Sequence, residues 1–290
     1  MNVVRTIREM RDVLAPARKA GKRIGFVPTM GAFHAGHLSL MRRARERCDV
    51  TVVSLFVNPT QFNDPGDLDR YPRDERRDVA LASNEGVDWM FAPDAAEMYR
   101  AGASTFVDVR GVSESLEGTS RGPSHFRGVA TVVAKLFNIV QPDMAFFGQK
   151  DAQQVLVIKR MVRDLDMPVG IEVCPTVRES DGLAMSSRNA LLSAAARQKA
   201  LALHRALSAA EQAVARGERD TAKVLGMARA AMSTFDVEPE YLEAVSTDSL
   251  RPVPRIDGET LLAVAARVGG VRLIDNVFLR LEQPAAERPL

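Results

Sequence analysis

Two largely apolar runs, Ile24-Gly-Phe-Val27 and the β-branched Val50–Val57, do most to limit what this chain can fold into. A strand with no polar alternation must be covered on both faces, which happens where helices flank a parallel sheet. Val87–Ala92, Thr105–Val109, Met144–Phe147 and Gly170–Pro175 read as further strands. Helical stretches separate the runs: Thr6–Lys19, Leu38–Cys48, Arg73–Gly86, Gly128–Val140 and Ala152–Leu165. The alternation predicts an α/β fold with a Rossmann-like parallel sheet and crossover helices. Ligands of such sheets bind in the crevice at the carboxyl ends of the strands.

After about Val177 the pattern changes. Ser193 is positioned as the N-cap of a helix reaching Arg216, and a second helix spans Thr221–Thr234. Strand-like runs follow at Tyr241–Val245, Leu261–Val268 and Val271–Leu279, with Val268-Gly-Gly-Val271 as a hairpin turn. The expected organisation is a Rossmann-like domain over 1–176 that holds the ligand crevice and a smaller α+β domain over 177–290 that forms a lid. The Pro/Ala-rich tail beyond Gln283 reads as loose.

Polar residues collect at the strand ends. Ile24–Val27 runs into Pro28-Thr-Met30-Gly31-Ala32-Phe33-His34-Ala35-Gly36-His37, a strand–loop–helix corner. Such a corner gathers backbone N–H groups and the positive end of a helix dipole, a natural phosphate site. His34 and His37 could both donate to charge developing at phosphorus, with Gly36 permitting close approach. Two surface histidines or a zinc pair are the plainer readings. Zinc needs further ligands at suitable spacing, and His125 and His204 suggest none, so no metal site is expected.

Three other strand or loop ends add donors. Phe147-Gly148-Gln149-Lys150-Asp151 places a lysine between a strand and a helix without forming a P-loop. Met185-Ser186-Ser187-Arg188 offers two hydroxyls and a guanidinium suited to phosphate oxygens, on a loop able to close and exclude water. Gln61 and Gln154 are uncharged amides that both donate and accept, which suits a hydroxylated carboxylate substrate.

With 39 Lys+Arg against 37 Asp+Glu, the formal charge is +2, so no bulk field recruits nucleic acid. No apolar stretch approaches the ~20 residues that span a membrane. The N-terminus shows no apolar signal-peptide core, and its arginines interleave with Glu9 and Asp12. Cys48 and Cys174 have neither redox nor metal spacing. A cytoplasmic protein with reduced thiols is expected.

Together these stretches resemble the pantothenate synthetase family. The matching segments are Pro28–His37, Asn58-Pro-Thr-Gln-Phe62, Tyr71-Pro-Arg73, His125-Phe-Arg-Gly-Val129, Phe147–Asp151 with Gln153-Gln154, and Met185–Arg188. They follow one another in family order through nearly the whole chain. The sequence departs from the pattern at an extra residue before His125, at Gln149, and at Ala152.

The resemblance implies ATP-dependent joining of (R)-pantoate to β-alanine through pantoyl adenylate, with release of pyrophosphate and AMP. It implies that Met30–His37, Gly148–Asp151, Val177 and Met185–Arg188 contact ATP. His34, His37, Lys150, Ser186, Ser187 and Arg188 would act on the phosphates, with His37 the nominal proton donor. Gln61 and Gln154 would grip pantoate, and Gln61 would help receive β-alanine. Asp78 is a candidate indirect helper. Mg2+ on the ATP phosphates, a homodimer, and small-molecule partners only, with neither nucleic acid nor membrane, complete the expectation. The alternative is another nucleotidyltransferase of the His-x-Gly-His type, one that keeps the nucleotide on its product.

Overall fold

The apolar runs pair into one parallel sheet. The computed structural model describes residues 1–63 and 65–280, so the tail beyond Gln283 lies outside the described residues. The chain divides into two units, Met1–Val177 and Arg178–Leu290. In the first, the order is β1 (Asn2–Val4), α1 (Ile7–Lys19), β2 (Ile24–Val27), α2 (Ala35–Arg47), β3 (Val50–Ser54), α3 (Pro65–Arg70) and α4 (Glu75–Asn84). There follow β4 (Trp89–Phe91), α5 (Ala95–Met98), α6 (Glu117–Arg121), α7 (Pro123–Val140), β5 (Met144–Gly148), α8 (Ala152–Asp164) and β6 (Gly170–Cys174).

The sheet order is β1-β4-β3-β2-β5-β6, and every pair is parallel. From β2 the chain winds outward through β3 and β4, then returns to the other side of β2 for β5 and β6. The reversal lies between β2 and β5, where the connections leave in opposite directions and open a crevice. Phe26, Val27, Val52, Val53, Ala145 and Phe146 are all fully buried, as two-sided coverage requires. Thr6 starts α1 with a capping box, its side chain accepting from the Glu9 N–H while the Glu9 carboxylate accepts from the Thr6 N–H.

Some boundaries differ from those the sequence predicts. Thr105–Val109 is not a strand: the segment is exposed at Phe106, and the Val107 N–H donates to Thr131 Oγ1 rather than to a neighbouring strand. Its β-branched composition is a propensity without a partner to pair with. β1 is an unpredicted edge strand, three residues long and too short for a periodic signal. α2 begins at Ala35, capped by the His34 side chain, and α7 at Pro123, a residue whose fixed φ suits the first helical position; each starts earlier than its apolar stripe.

The second unit contains α9 (Ala194–Ala215), α10 (Thr221–Ser233) and the strands β7 (Pro239–Ser246), β8 (Thr260–Val268) and β9 (Val271–Leu279). The strands form an antiparallel sheet in sequence order, with Gly269 and Gly270 both at positive φ in the β8–β9 turn. Ser193 caps α9 by accepting from the Ala196 N–H. Leu203, Leu207, Val214, Val224, Leu262 and Val264 belong to this unit's own core. Among the described residues, no helix is long and apolar enough to cross a membrane. Both cysteines are free, and burial pushes the Cys174 thiol up to about 11.

Candidate active site

The corner after β2 is held from below by a carboxylate. Asp78, in the first turn of α4, is 1% exposed and accepts from the Ala32 N–H through Oδ2 and the Phe33 N–H through Oδ1, both at 2.8 Å. Two charge-assisted bonds of this kind hold Ala32 at φ +54, a left-handed conformation that alanine otherwise avoids. Thr29 ties the same loop to the end of β3, its hydroxyl donating to the Ser54 carbonyl at 2.6 Å. Phe33, 1% exposed, anchors the loop in the core.

His34 is the N-cap of α2 and His37 its third residue. The Gly36 N–H donates to His34 Nδ1 at 3.2 Å, and the His34 N–H donates to His37 Nδ1 at 3.4 Å. A backbone N–H cannot accept, so both δ nitrogens are acceptors and each neutral ring carries its proton on Nε2. The ring centroids are 4.2 Å apart. A Cβ at position 36 would lie 2.9 Å from the His34 ring, so only glycine lets that ring fold back over the helix start.

Burial pushes the pKa of His37 down to about 3, with the neighbouring His34 and Lys150 adding to the shift and Asp151 opposing it. Although part of the ring surface still reaches solvent, protein surrounds it densely enough that desolvation dominates. His37 is therefore neutral at physiological pH. It can donate a hydrogen bond from Nε2, but it carries no proton to spare as a strong acid.

The end of β5 supplies the facing side. Gly148 leads into a 3-10 turn over Gln149–Asp151, and Lys150 Nζ lies 3.5 Å from Asp151 Oδ1. The mutual influence of His37, Lys150 and Asp151 reflects the pairing of β2 with β5. One residue apart on α8, the two glutamines separate in role. Gln153 is buried, accepting from the Glu117 N–H at 2.9 Å and donating to the carbonyls of Val112 and Ser115. Gln154 is half-buried. Val177 follows the end of β6, beside β5 at the same sheet edge.

Gln61 ends a 3-10 turn, Pro59–Gln61, after β3. Its Oε1 accepts from Asn58 Nδ2 at 3.1 Å and its Nε2 approaches Met30 Sδ at 3.0 Å, which joins it to the corner after β2. His125 Nδ1 donates to the Gln61 carbonyl at 2.8 Å. Burial holds that imidazole down at about 4, so this ring too is neutral. The buried Asn58 and Asp78 and the half-buried His125 and Tyr99 all support the site from behind. Sequence reasoning assigned no role to Asn58, His125 or Tyr99, although Asn58 and His125 lie in segments that match the family and Asn58 stands before a proline as an N-cap; for Tyr99 the sequence offered no signal.

Within the first unit the structure thus brings together Met30–His37, Gln61, Gly148–Asp151 and Val177 at one sheet edge. Met185, Ser186, Ser187 and Arg188 belong to the second unit. There Ser186 caps a 3-10 turn, Ser187–Leu191, accepting from the Arg188 N–H at 3.2 Å. The loop before it is firmly tied. Arg197 donates to Glu179 at 2.8 Å and Asp181 at 2.7 Å, Asn189 donates to Glu179 and to the Ala184 carbonyl, and Arg178 grips Asp275 bidentately. Among the described residues, no group of three or more His, Cys, Asp or Glu is placed to hold a metal ion.

Known proteins are similar to this chain in sequence and fold. The profile of the family described as Pantoate-beta-alanine ligase matches residues 2–278. A pantothenate synthetase of Pelotomaculum thermopropionicum is 54% identical over 283 residues, covering 96% of this chain and 99% of that protein. The crystal structure of pantothenate synthetase from Thermus thermophilus superposes with a TM-score of 0.91 at 45% identity, over 97% of this chain and 100% of that one. The pantoate-beta-alanine ligase of Francisella tularensis, complexed with beta-gamma ATP and beta-alanine, gives a TM-score of 0.78 at 33% identity, covering 96% and 97%.

Proposed function

The chain belongs to the pantoate-beta-alanine ligase family, and from that membership we propose how its own residues divide the work. The reaction is the ATP-dependent ligation of pantoate to β-alanine. A pantoate carboxylate oxygen attacks the α-phosphate of ATP, and the bond to pyrophosphate breaks. The β-alanine amine then attacks the acyl carbon of pantoyl adenylate, AMP leaves with the electron pair, and the amine loses a proton.

The observation that carries the residue roles is the β2–β5 junction, which places two Nε2–H donors and Lys150 at one sheet edge. Met30–His37, Gly148–Asp151 and Val177 surround the nucleotide. His34, His37 and Lys150 stabilise charge that grows on the phosphates during attack, as preorganised donors rather than acids. His37, the nominal proton donor implied by the resemblance, need not act as a strong acid, because pyrophosphate leaves without protonation when its charge is already balanced. Ser186, Ser187 and Arg188 are assigned to the ATP phosphates from the family motif, as a hydroxyl pair and a guanidinium suited to phosphate oxygens. Gln61 and Gln154 hold pantoate, with Gln61 also receiving β-alanine.

Mg2+ enters with ATP. An ion of this kind binds chiefly through substrate phosphates and retained water, with one or two carboxylates at most. On the same reading the enzyme is a cytoplasmic homodimer, tested by sedimentation equilibrium at twice the chain mass.

The deciding experiment supplies ATP, Mg2+ and pantoate, with and without β-alanine. Pyrophosphate is released in a single enzyme equivalent when β-alanine is absent. Pantothenate and AMP then appear in equal amounts when it is added. ATP turnover indifferent to both pantoate and β-alanine overturns the assignment, and AMP retained on the product points to nucleotidyl transfer instead.

A further inference from the structure

The hydrogen-bond roles around Gln61 can be assigned from partners that have no choice. The Thr60 backbone N–H can only donate, and it lies 3.3 Å from Asn58 Oδ1. The Gly128 carbonyl can only accept, and it lies 3.1 Å from Asn58 Nδ2. These two backbone groups fix which way the buried Asn58 amide faces. Its second N–H points at Gln61, 3.1 Å away, so the receiving atom there is the oxygen Oε1. Gln61 Nε2 is thereby turned the other way, to the side of Met30 and the nucleotide segment.

A side chain outside every motif considered so far adds to that hold on Asn58. Tyr99, the residue that closes α5, places its hydroxyl 2.8 Å from Asn58 Oδ1. That oxygen has no hydrogen, so the phenol donates. Thr60 Oγ1 donates to the same oxygen at 3.0 Å and sits 3.3 Å from the phenol oxygen. Burial raises the phenol's pKa, which keeps the proton in place. Lys135 Nζ lies 5.7 Å above the ring and Phe56 packs at 6.3 Å, which hold its plane.

We propose that Tyr99 is a positioning residue that orients the Gln61 amide through Asn58, so that the site meets its substrate with N–H donors and selects acceptor oxygens there. The inference rests on Gln61 holding pantoate. A carboxylate or hydroxyl oxygen at that point is bound, and a group presenting only donors is refused. Without the phenol, Asn58 Oδ1 keeps only the Thr60 donors, so the amide that directs Gln61 is held by fewer bonds and Gln61 Nε2 is less firmly aimed.

The test is a double-mutant cycle read as steady-state KM values for pantoate and for ATP, using Tyr99→Phe, Gln61→Ala and the pair. Y99F raises the pantoate KM about 3–10-fold, the effect of one neutral hydrogen bond, and leaves the ATP KM unchanged. In the Q61A background Y99F adds nothing, because Tyr99 acts only through Gln61. A merely structural tyrosine gives the same fold-increase with and without Gln61, and that result overturns the proposal. If Q61A leaves the pantoate KM unchanged, the role of Gln61 fails and the inference falls with it. If Q61A raises it and Y99F does not, only the role of Tyr99 fails. Thr60→Val removes another donor to the same oxygen and carries the same signature, which keeps the test open should Y99F fold poorly.

Discussion

At the scale of single residues, the site is organised by hydrogen bonds whose direction backbone groups impose. The Gly36 and His34 N–H groups make both δ nitrogens acceptors, leaving two Nε2–H donors side by side. Replacing His37 or Lys150 by alanine removes a preorganised donor or cation, and the burst of pyrophosphate slows by ~10²–10³-fold with little change in unfolding midpoint. Rapid-quench measurement with ATP and pantoate reads this directly, and an unchanged burst rate removes the residue from the adenylation step. The neutral imidazoles also make stability depend on pH. His37 and His125 are held at about 3 and about 4, against an ordinary 6.5. Below about pH 6.5 the unfolded chain binds protons that the folded chain refuses, so their contribution is full above that value and is lost as pH falls toward about 4 and then 3. His125→Asn, which keeps an N–H donor for the Gln61 carbonyl, shifts its urea midpoint less between pH 7 and pH 5 than the parent does. Equal shifts in the two proteins rule this out.

Between elements, close approach matters as much as chemistry. α7 runs so near the Pro59–Gln61 turn that a Cβ on Gly128 would overlap the Thr60 carbonyl oxygen and lie 2.8 Å from Gln61 Cα. Both obstacles are backbone and cannot yield as a flexible side chain does. Gly128→Ala therefore destabilises by about 1–3 kcal/mol and pushes the Gln61 turn outward. Chemical denaturation reads the first effect and the pantoate KM, which rises, reads the second; retention of both parental values shows that the turn can move freely. The same scale explains which elements the sequence revealed. Strands β2, β3 and β5 were legible because burial on both faces leaves a largely apolar run with no polar alternation. Thr105–Val109 has the same β-branched character and is no strand, since pairing requires a neighbour that composition cannot specify. α2 was legible as a helix, but its start was not, because the capping group is a histidine side chain rather than a residue of the usual N-cap set.

For the whole molecule, the two units have separate cores and separate vulnerabilities. In the second, Asp275 is 3% exposed and is neutralised by Arg178 in a bidentate pair. Arg178→Ala leaves that carboxylate buried without its partner, a loss of about 3 kcal/mol. The single tryptophan, Trp89, lies on β4 of the first unit. In R178A the far-UV circular dichroism transition therefore begins at lower denaturant than the Trp89 fluorescence transition, and coincident curves refute independent melting. Alternation of apolar runs with helical stretches determined the α/β class, the change of pattern near Val177 and the polar character of the strand ends, because burial periodicity is written in neighbouring residues. Motif order determined the family. Only the tertiary structure decided that β5 lies against β2, which brings Lys150 to His37 across more than a hundred residues of chain. It also decided the hydrogen-bond partners of Asn58, Tyr99 and Asp78, the tautomers of the histidines and the side of Gln61 that faces the nucleotide segment. Those depend on which donor meets which acceptor across the fold, and hydrogen-bond direction leaves no periodic trace in a sequence.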